Sequence, residues 1–556
     1  WTEGSTLTLT ASGGHTPFSA DRVCALWQLK SGSDIAHVKI TGFTSSTVVT
    51  VEAKNRIPAS LQGAGVFTWS EGEFSDARGH AGAVAFHEQR LVLAGSRTSP
   101  QKVWFSNSNG DYENFEAGTE GDDSFNIKIA SLAGDPIRWL FSDNVLFVGT
   151  AGGIFRVRNS SNGSALSPTD IDVKKHISQG ADIVSAQQVD SSVLYVQAGG
   201  QLVRSINFSV ESDKYRARDI TIDADNITGN GIVESNTQQI PLSNLILLRQ
   251  DGEIAKLTLE QDQEINAWSR DVTQGKYESS AIILDSSNRE VLYFIVNRTI
   301  NGVTKRFVEA REPNYLNDDL NAFYVDCGLT YNGTQNVNLT LSSASGSEII
   351  ETEAGDPLET ELGEPLETEE QDVTITSSSS VFIASDVGKE IHELGDGKGR
   401  ALIVGFTDSQ NVTVDIIEQF SNPTILAGTW AIAIKTVTGL THLIGETVSI
   451  ASDGATETSQ VVDSNGQITI SSAGSIIHVG LPYTAKQKSM PIDALGLAGF
   501  LGTSQGKEKR VDKAVVKFFE TRGAEMVLER DGDIVPIPFR SVDNNMNEAV
   551  PLFNGD

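Results

Sequence analysis

The sequence predicts an all-β protein of several domains, and three observations predict it. Segments such as "STLTLTAS" (5–12), "NVTVDII" (411–417), "ETVSIAS" (446–452) and "GQITISS" (466–472) alternate apolar residues with Thr or Ser and end in Gly, Asn or Asp turns. Helical periodicity with capping residues is nearly absent. At 556 residues the chain is also far past the size where a single hydrophobic core stops growing, so three to five domains are expected.

The chain opens on a small module, residues 1–72, whose central stretch "SDIAHVKITGFTSSTVVTVEA" (33–53) returns as "GKGRALIVGFTDSQNVTVDII" (397–417). The echo extends outward: "TLTLTAS" (6–12) matches "DVTITSS" (372–378), "FSADRV" (18–23) matches "FIASDV" (382–387), and the two copies end near Trp69 and Trp430. Residues 1–72 and 372–436 are therefore read as two related small β-barrel or sandwich modules. They share no His, Asp, Ser or Cys constellation, so they read as scaffold.

Between the copies a second repeat appears. Apolar tetrads recur at Leu91–Ala94, Val145–Val148, Val193–Val196, Leu245–Leu248 and Val291–Phe294, with start-to-start spacings of 54, 48, 52 and 46 residues. The later four are followed by the turns "AGG", "AGG", "DG" and "NG". A period of about 50 in an all-β sequence predicts propeller blades, because one four-stranded blade cannot bury both faces alone. Residues 73–320 are assigned to this central β-propeller.

Residues 321–371 read as a connector ending in an acidic loop. "ETEAGDPLETELGEPLETEEQD" (351–372) carries Glu351, Glu353, Asp356, Glu359, Glu361, Glu364, Glu367, Glu369, Glu370 and Asp372 and no Lys or Arg. Pro357 and Pro365 forbid a regular helix or central strand there. By composition it reads as a solvated loop. Residues 437–556 form a C-terminal β domain for platform or assembly. Its basic run "QGKEKRVDKAVVKFF" (505–519) presents Lys507, Lys509, Arg510, Lys513 and Lys517, either as a solvated hairpin face or as an assembly interface.

The net charge is −31, from 42 basic and 73 acidic residues, which disfavours avid binding of nucleic acid. No run of eighteen apolar residues exists, so no integral membrane segment is expected. The stretch "WTEGSTLTLT" has neither the basic flank nor the apolar core of a signal peptide, and the sequence is expected to begin inside a longer chain. Cys24 and Cys327 are expected as two separate buried thiols made in a reducing compartment.

Motifs for chemistry are sparse. HExxH and a complete Walker loop are missing, and "GDGKGR" (395–400) lacks the P-loop spacing. His80 and His87, with Glu88 adjacent, are expected to be structural or exposed. "DADNITGNGIVE" (223–234) places Asp223, Asp225 and Glu234 at positions one, three and twelve of a calcium loop, but Thr228 stands where such a loop needs Gly. No cofactor and no catalytic residue is expected.

Three stretches carry a resemblance. "AGAVAFHEQRLVLAGSRTSPQKVWFSNSNGDYENF" (81–115), "LTHLIGETVSIASDGATETSQVVDSNGQITISSAGSIIHVGLPY" (440–483) and "KRVDKAVVKFFETRGAEM" with "DIVPIPFRSVDNNMNEAVPLFNGD" (509–556) resemble the tail nozzle, or tubular tail protein B, of short-tailed bacteriophages. The duplicated module resembles the small β-domain labelled in such virion proteins by similarity to a domain of ubiquitin-activating enzymes. The resemblance implies a structural virion protein, made in the host bacterial cytoplasm and located in the tail of the virion. It implies a homo-hexamer continuing the DNA ejection channel, with a tail adaptor protein above and tail fibre or needle proteins beside or below. Double-stranded DNA would pass without specific binding, and the host outer surface is a further expected contact. For the acidic loop 351–372 the resemblance alone implies a second reading, a channel or tip element whose repulsion is relieved by Ca²⁺, Mg²⁺ or a partner. Six copies would carry about −190, so a channel wall of that sign would let a polyanion slide. Two other readings stay open: a tail adhesin binding glycan or receptor, and a propeller-based depolymerase, which needs two carboxylates about 5–10 Å apart.

Overall fold

A computed structural model describes residues 1–487 apart from 63–67, 109, 131–134, 161–164, 210–213, 223, 241, 261–262, 264, 313–318, 343–372 and 396–397. Beyond 487 it describes 515–521, 523–527, 534–537 and 553–555. The chain divides into two compact units. One holds Trp1–Val272 with Lys276–Val296, the other Thr273–Gly275 with Asn297–Asp556.

The first unit begins with a five-stranded antiparallel sheet. Strands Thr6–Thr10, Leu26–Ser31, Asp34–Ser45, Val48–Ala53 and Thr68–Glu71 lie in the spatial order first, fourth, third, second, fifth. Strict alternation along Val48–Ala53 sends Val49, Val51 and Ala53 into a core with Trp27, Val38 and Ile40. A turn of 3-10 helix, Ala20–Arg22, leads into the second strand.

Four four-stranded meanders follow in chain order, each strand paired with the next. Their second strands are Arg90–Ala94, Leu146–Thr150, Ser192–Val196 and Asn244–Arg249, and a fifth sheet carries Glu290–Ile300 in that place. These are the five apolar tetrads of the 50-residue repeat. In blades 2 to 4 the tetrads are buried at every position because both faces are covered, while in the first and fifth sheets alternate tetrad positions are only partly buried. Leu146 and Val148 pack with Val92 and Phe105 of the blade before. Phe147 packs with Val193 and Tyr195 of the blade after. Likewise Leu245 and Leu247 meet Leu194 and Val196, while Ile246 and Leu248 meet Leu292 and Phe294. Such faces, at about 1.5–3 kcal/mol for each large apolar side chain buried, hold blade to blade. The arrangement is that of a β-propeller.

The second unit contains the repeat module again. Strands Val373–Ser377, Glu390–Glu393, Arg400–Phe406, Asn411–Glu418 and Trp430–Val437 take the same spatial order as in the first unit. Register agrees as well: Val38, Ile40, Gly42 and Phe43 face Ala53, Val51, Thr50 and Val49, and Ala401, Ile403, Gly405 and Phe406 face Ile416, Val414, Thr413 and Val412. Both copies break register between the Ile and the Gly, and both glycines lie against a Thr side chain.

A third copy, unforeseen in the sequence, follows directly. Strand Trp430–Val437 closes the second copy and opens the third, pairing with Ile468–Gly474. The 3-10 turn Thr441–Leu443 then leads to Thr447–Ser452, which pairs with Ala455–Val461 and with Ile476–Leu481. Strands Asp326–Asn332 and Leu339–Leu341, in the expected connector, pair with Ile476–Leu481 and Val373–Ser377.

Candidate functional site

The residues singled out from sequence are not gathered at one place. All ten acidic residues of 351–372 lie outside the described residues, as do Lys507, Lys509, Arg510, Lys513 and Asp223. Lys517 is described, and it is exposed just ahead of the strand Phe518–Thr521. Asp225 sits in the single turn of helix Asp225–Thr228. Glu234 is on the first strand of blade 4, where its carboxylate accepts hydrogen bonds from the Ser280 backbone N–H (2.7 Å), the Ser280 hydroxyl (2.8 Å), the Ser279 hydroxyl (2.9 Å) and Asn236 (3.1 Å). These bonds tie blade 4 to the strand after it and leave the carboxylate engaged in holding blades together. Among the described residues no group of three or more His, Cys, Asp or Glu side chains is placed to hold a metal.

Glu234 belongs to a polar ladder that runs from the first strand of blade 3 through that of blade 4 to the first two strands of the fifth sheet. Gln187 donates to the Ser235 carbonyl at 3.0 Å and accepts from Thr237 at 3.1 Å. Asn236 donates to the Ser280 carbonyl at 3.1 Å, and Gln238 to the Glu290 carbonyl at 3.0 Å. The bonds span 44 to 52 residues of chain, about the blade repeat, and each links one blade to the next.

The two histidines at the propeller start differ. His80 is exposed and pairs with Asp76 at 3.2 Å. His87 is buried, with the Ser142 hydroxyl 2.9 Å from its Nδ1, and burial holds its imidazole below the ordinary pKa despite the nearby Glu88 carboxylate. Glu88 itself accepts the Leu166 backbone N–H at 2.6 Å. The cysteines depart from expectation: Cys24 is exposed and Cys327 half-buried. Cys24 is pushed outward because it occupies a tight turn with φ +75°.

The densest ionisable cluster lies where the second and third module copies meet. His392 Nε2 is 3.0 Å from Glu390 Oε2, and its Nδ1 is 3.0 Å from the Ser475 hydroxyl. Arg400 donates to the same Glu390 oxygen at 2.6 Å, and Lys435 lies 3.5 Å from the other. Burial opposes ionisation of Glu390, but the hydrogen bonds from His392 and Arg400 outweigh it and hold the carboxyl below its ordinary value. Asp453 accepts the backbone N–H groups of Ser475 (3.0 Å) and Ile476 (2.8 Å). A hydroxyl, an imidazole and a carboxylate in line have the order of a nucleophilic triad. Ser475, however, is 1% exposed, so no substrate carbonyl reaches its hydroxyl. The cluster fastens one module copy to the next. Sequence reasoning missed it because its members lie as far apart as Glu390 and Ser475, and the alternation in "EIHE" says only that two polar side chains share a strand face.

No helix among the described residues is long and apolar enough to cross a membrane. No protein-family model matches the chain, and no curated protein matches its sequence. Among solved structures it is similar to the β-propeller domain of Cps50 (Swd1) from Myceliophteria thermophila, at 10% identity and TM-score 0.27, covering 55% of this chain and 89% of that one. It is also similar to a putative 6-phosphogluconolactonase from Bacteroides uniformis, at 11% identity and TM-score 0.29, covering 52% and 100%. A mutant of Synechocystis apocarotenoid oxygenase follows at 9% identity and TM-score 0.23, covering 77% and 96%. At these scores the likenesses carry no argument about activity.

Proposed function

We propose that the chain is a structural subunit of a short-tailed bacteriophage tail nozzle, one of six around the channel through which double-stranded DNA leaves, with no chemistry of its own. The observation that carries this reading is repeated geometry without repeated chemistry. One five-stranded module is built three times, yet where the second copy has Glu390 and His392, the first has Leu26 and Gln28 and the third Thr447 and Ser449. What recurs is what the backbone needs: a 3-10 turn, a positive-φ residue after it, and the pairing of first with fourth, second with third and second with fifth strands, the third copy lacking only a ladder between its third and fourth strands. Selection for a scaffold leaves that mark, whereas a duplicated active site keeps its reacting groups.

The charge fits the same reading. At −31 per chain, a lumen formed by six copies repels a passing polyanion within about 10 Å at ordinary salt, so DNA is not held by counterion exchange on its way out. The adaptor above, the fibre or needle proteins beside, and an assembly role for the basic run around Lys509 and Arg510 belong to this proposal. Negative-stain imaging of the purified protein and of tails containing it tests the reading. A six-fold ring with an axial opening is expected. A particle that stays a single subunit, or a ring whose lumen is lined mainly by Lys and Arg, overturns it.

A further inference from the structure

The outermost strand of blade 3, Lys214–Asp219, carries an unusual charge pattern for so acidic a chain. Lys214, Arg216 and Arg218 are exposed on one face, while Tyr215 and Ala217 on the other pack into the cluster shared with blade 2. Register is unbroken, so the three cations stand in a straight row about 6.8 Å apart. Their cross-strand neighbours are Ser209, Asn207 and Ser205, none of them acidic.

Several cations elsewhere in the propeller are paired. Arg156, Arg158 and Lys174 share Asp172, Arg249 holds Asp251 and Glu253, and Arg289 holds Asp285. Lys214, Arg216 and Arg218 have no carboxylate partner among the described residues, although the chain has 73 acidic residues to 42 basic. Three aligned cations without a carboxylate partner among the described residues match an acidic partner with the same repeat.

The chain contains such a sequence. Glu-Thr-Glu occurs three times in the acidic segment, at 351–353, 359–361 and 367–369, at intervals of eight residues. On an extended chain, residues two apart fall on one face at the spacing of the cation row. We propose that the row Lys214, Arg216, Arg218 receives the acidic segment 351–372 of a second copy of this chain. The nozzle reading supplies only the neighbouring copy. Nucleic acid is the less fitting polyanion, because the net charge of −31 on the chain opposes its approach.

The test uses the full chain and a fluorescent peptide of residues 351–372. Anisotropy is expected to show binding at about 50 mM salt that fades as the Debye length shrinks toward 3 Å at about 1 M. The triple variant K214Q/R216Q/R218Q, whose exposed positions leave the melting temperature unchanged, is expected to bind about tenfold more weakly. It is also expected to self-associate about tenfold more weakly in sedimentation. A shuffled peptide of identical composition that breaks every Glu-Thr-Glu is expected to lose affinity. Equal binding by the shuffled peptide, tighter binding of duplex DNA to the row, or unchanged peptide binding and self-association in the triple variant overturns the proposal. A six-fold ring that survives those results leaves the nozzle reading standing. Peptide binding by a chain that forms no ring removes the nozzle reading alone.

Discussion

Cys24 and Gly388 occupy the same place in two copies of one module. Each follows a 3-10 turn, each has positive φ (+75° and +92°), and each donates its backbone N–H at 2.8 Å to the carbonyl of the isoleucine before the register break, Ile40 or Ile403. The third copy repeats the arrangement with Gly445 at φ +84°, bonded to Val462 at 3.0 Å. Two copies fill the left-handed position with the residue that tolerates it, and the first holds a side chain there.

Replacing Cys24 with Gly therefore relieves strain and is expected to stabilise the first module by about 0.5–1 kcal/mol, net of the extra unfolded-state entropy of Gly. The reverse change, Gly388→Ala, meets no atom within 4 Å of the added Cβ. Its cost is thus purely one of backbone conformation, about 1–2 kcal/mol. Denaturant melts of the two variants beside the parent check both signs. Destabilisation by Cys24→Gly contradicts the assignment of strain.

The two thiols are expected to react very differently. Cys24 is exposed, whereas burial, with the Glu309 carboxylate adding to it, pushes the Cys327 thiol up to about 12. The thiolate is the reactive form, so Cys327 has almost none of it at neutral pH. A thiol-titrating disulfide reagent at pH 8 is expected to modify one thiol per chain quickly, and Cys24→Ser to abolish that phase. The second thiol is expected to appear only on denaturation. Two equally fast phases would show that Cys327 is open.

Gly149 shows how tightly the blades fit. A Cβ added there would lie 2.3 Å from Cε2 of Trp139 and 2.5 Å from Cδ2, with the indole 2% exposed. Trp139 has no room to move, since it packs on Tyr195 of blade 3 with ring centroids 5.9 Å apart. Gly149→Ala is expected to cost about 1–3 kcal/mol by overpacking. Trp139→Leu in the same chain should recover part of the loss, because the two positions couple. A melting temperature unchanged by Gly149→Ala would show a looser interface.

Much of this architecture is legible in the sequence. The propeller could be read because the second strands of blades 2 to 4 are buried on both faces, which forces runs such as "LFVG" and "NLILL" that stand out at a fixed period. The first two module copies could be read because the Ile-x-Gly-Phe bulge survives in both. The third escaped because its hairpin replaces that bulge with "VVDSNGQI", keeping the hydrogen bonds and changing the letters. The His392 cluster and the Lys214–Arg216–Arg218 row were hidden for different reasons. One forms only when strands more than 80 residues apart meet, as Ser475 and His392 do. The other is ordinary in composition and becomes notable only once its neighbours prove uncharged.

His87 gives the propeller a defined response to acid. It links the first strands of blades 1 and 2, its Nδ1 2.9 Å from the Ser142 hydroxyl, and burial holds its pKa below 6.5 in the folded chain. The unfolded chain takes up a proton more readily, so between 6.5 and the lowered folded value it binds more protons than the folded one. Stability from this group is therefore full above about pH 6.5, is lost as pH falls through the folded value, and is flat below it. His87→Gln removes the titration. The difference in unfolding free energy between parent and variant is expected to hold constant from pH 8 to 7 and then to shift against the parent on acidification. Taking that difference cancels the other seven histidines of the chain. A difference independent of pH from 8 to 5 would mean that water reaches the imidazole and that the joint between blades 1 and 2 is open.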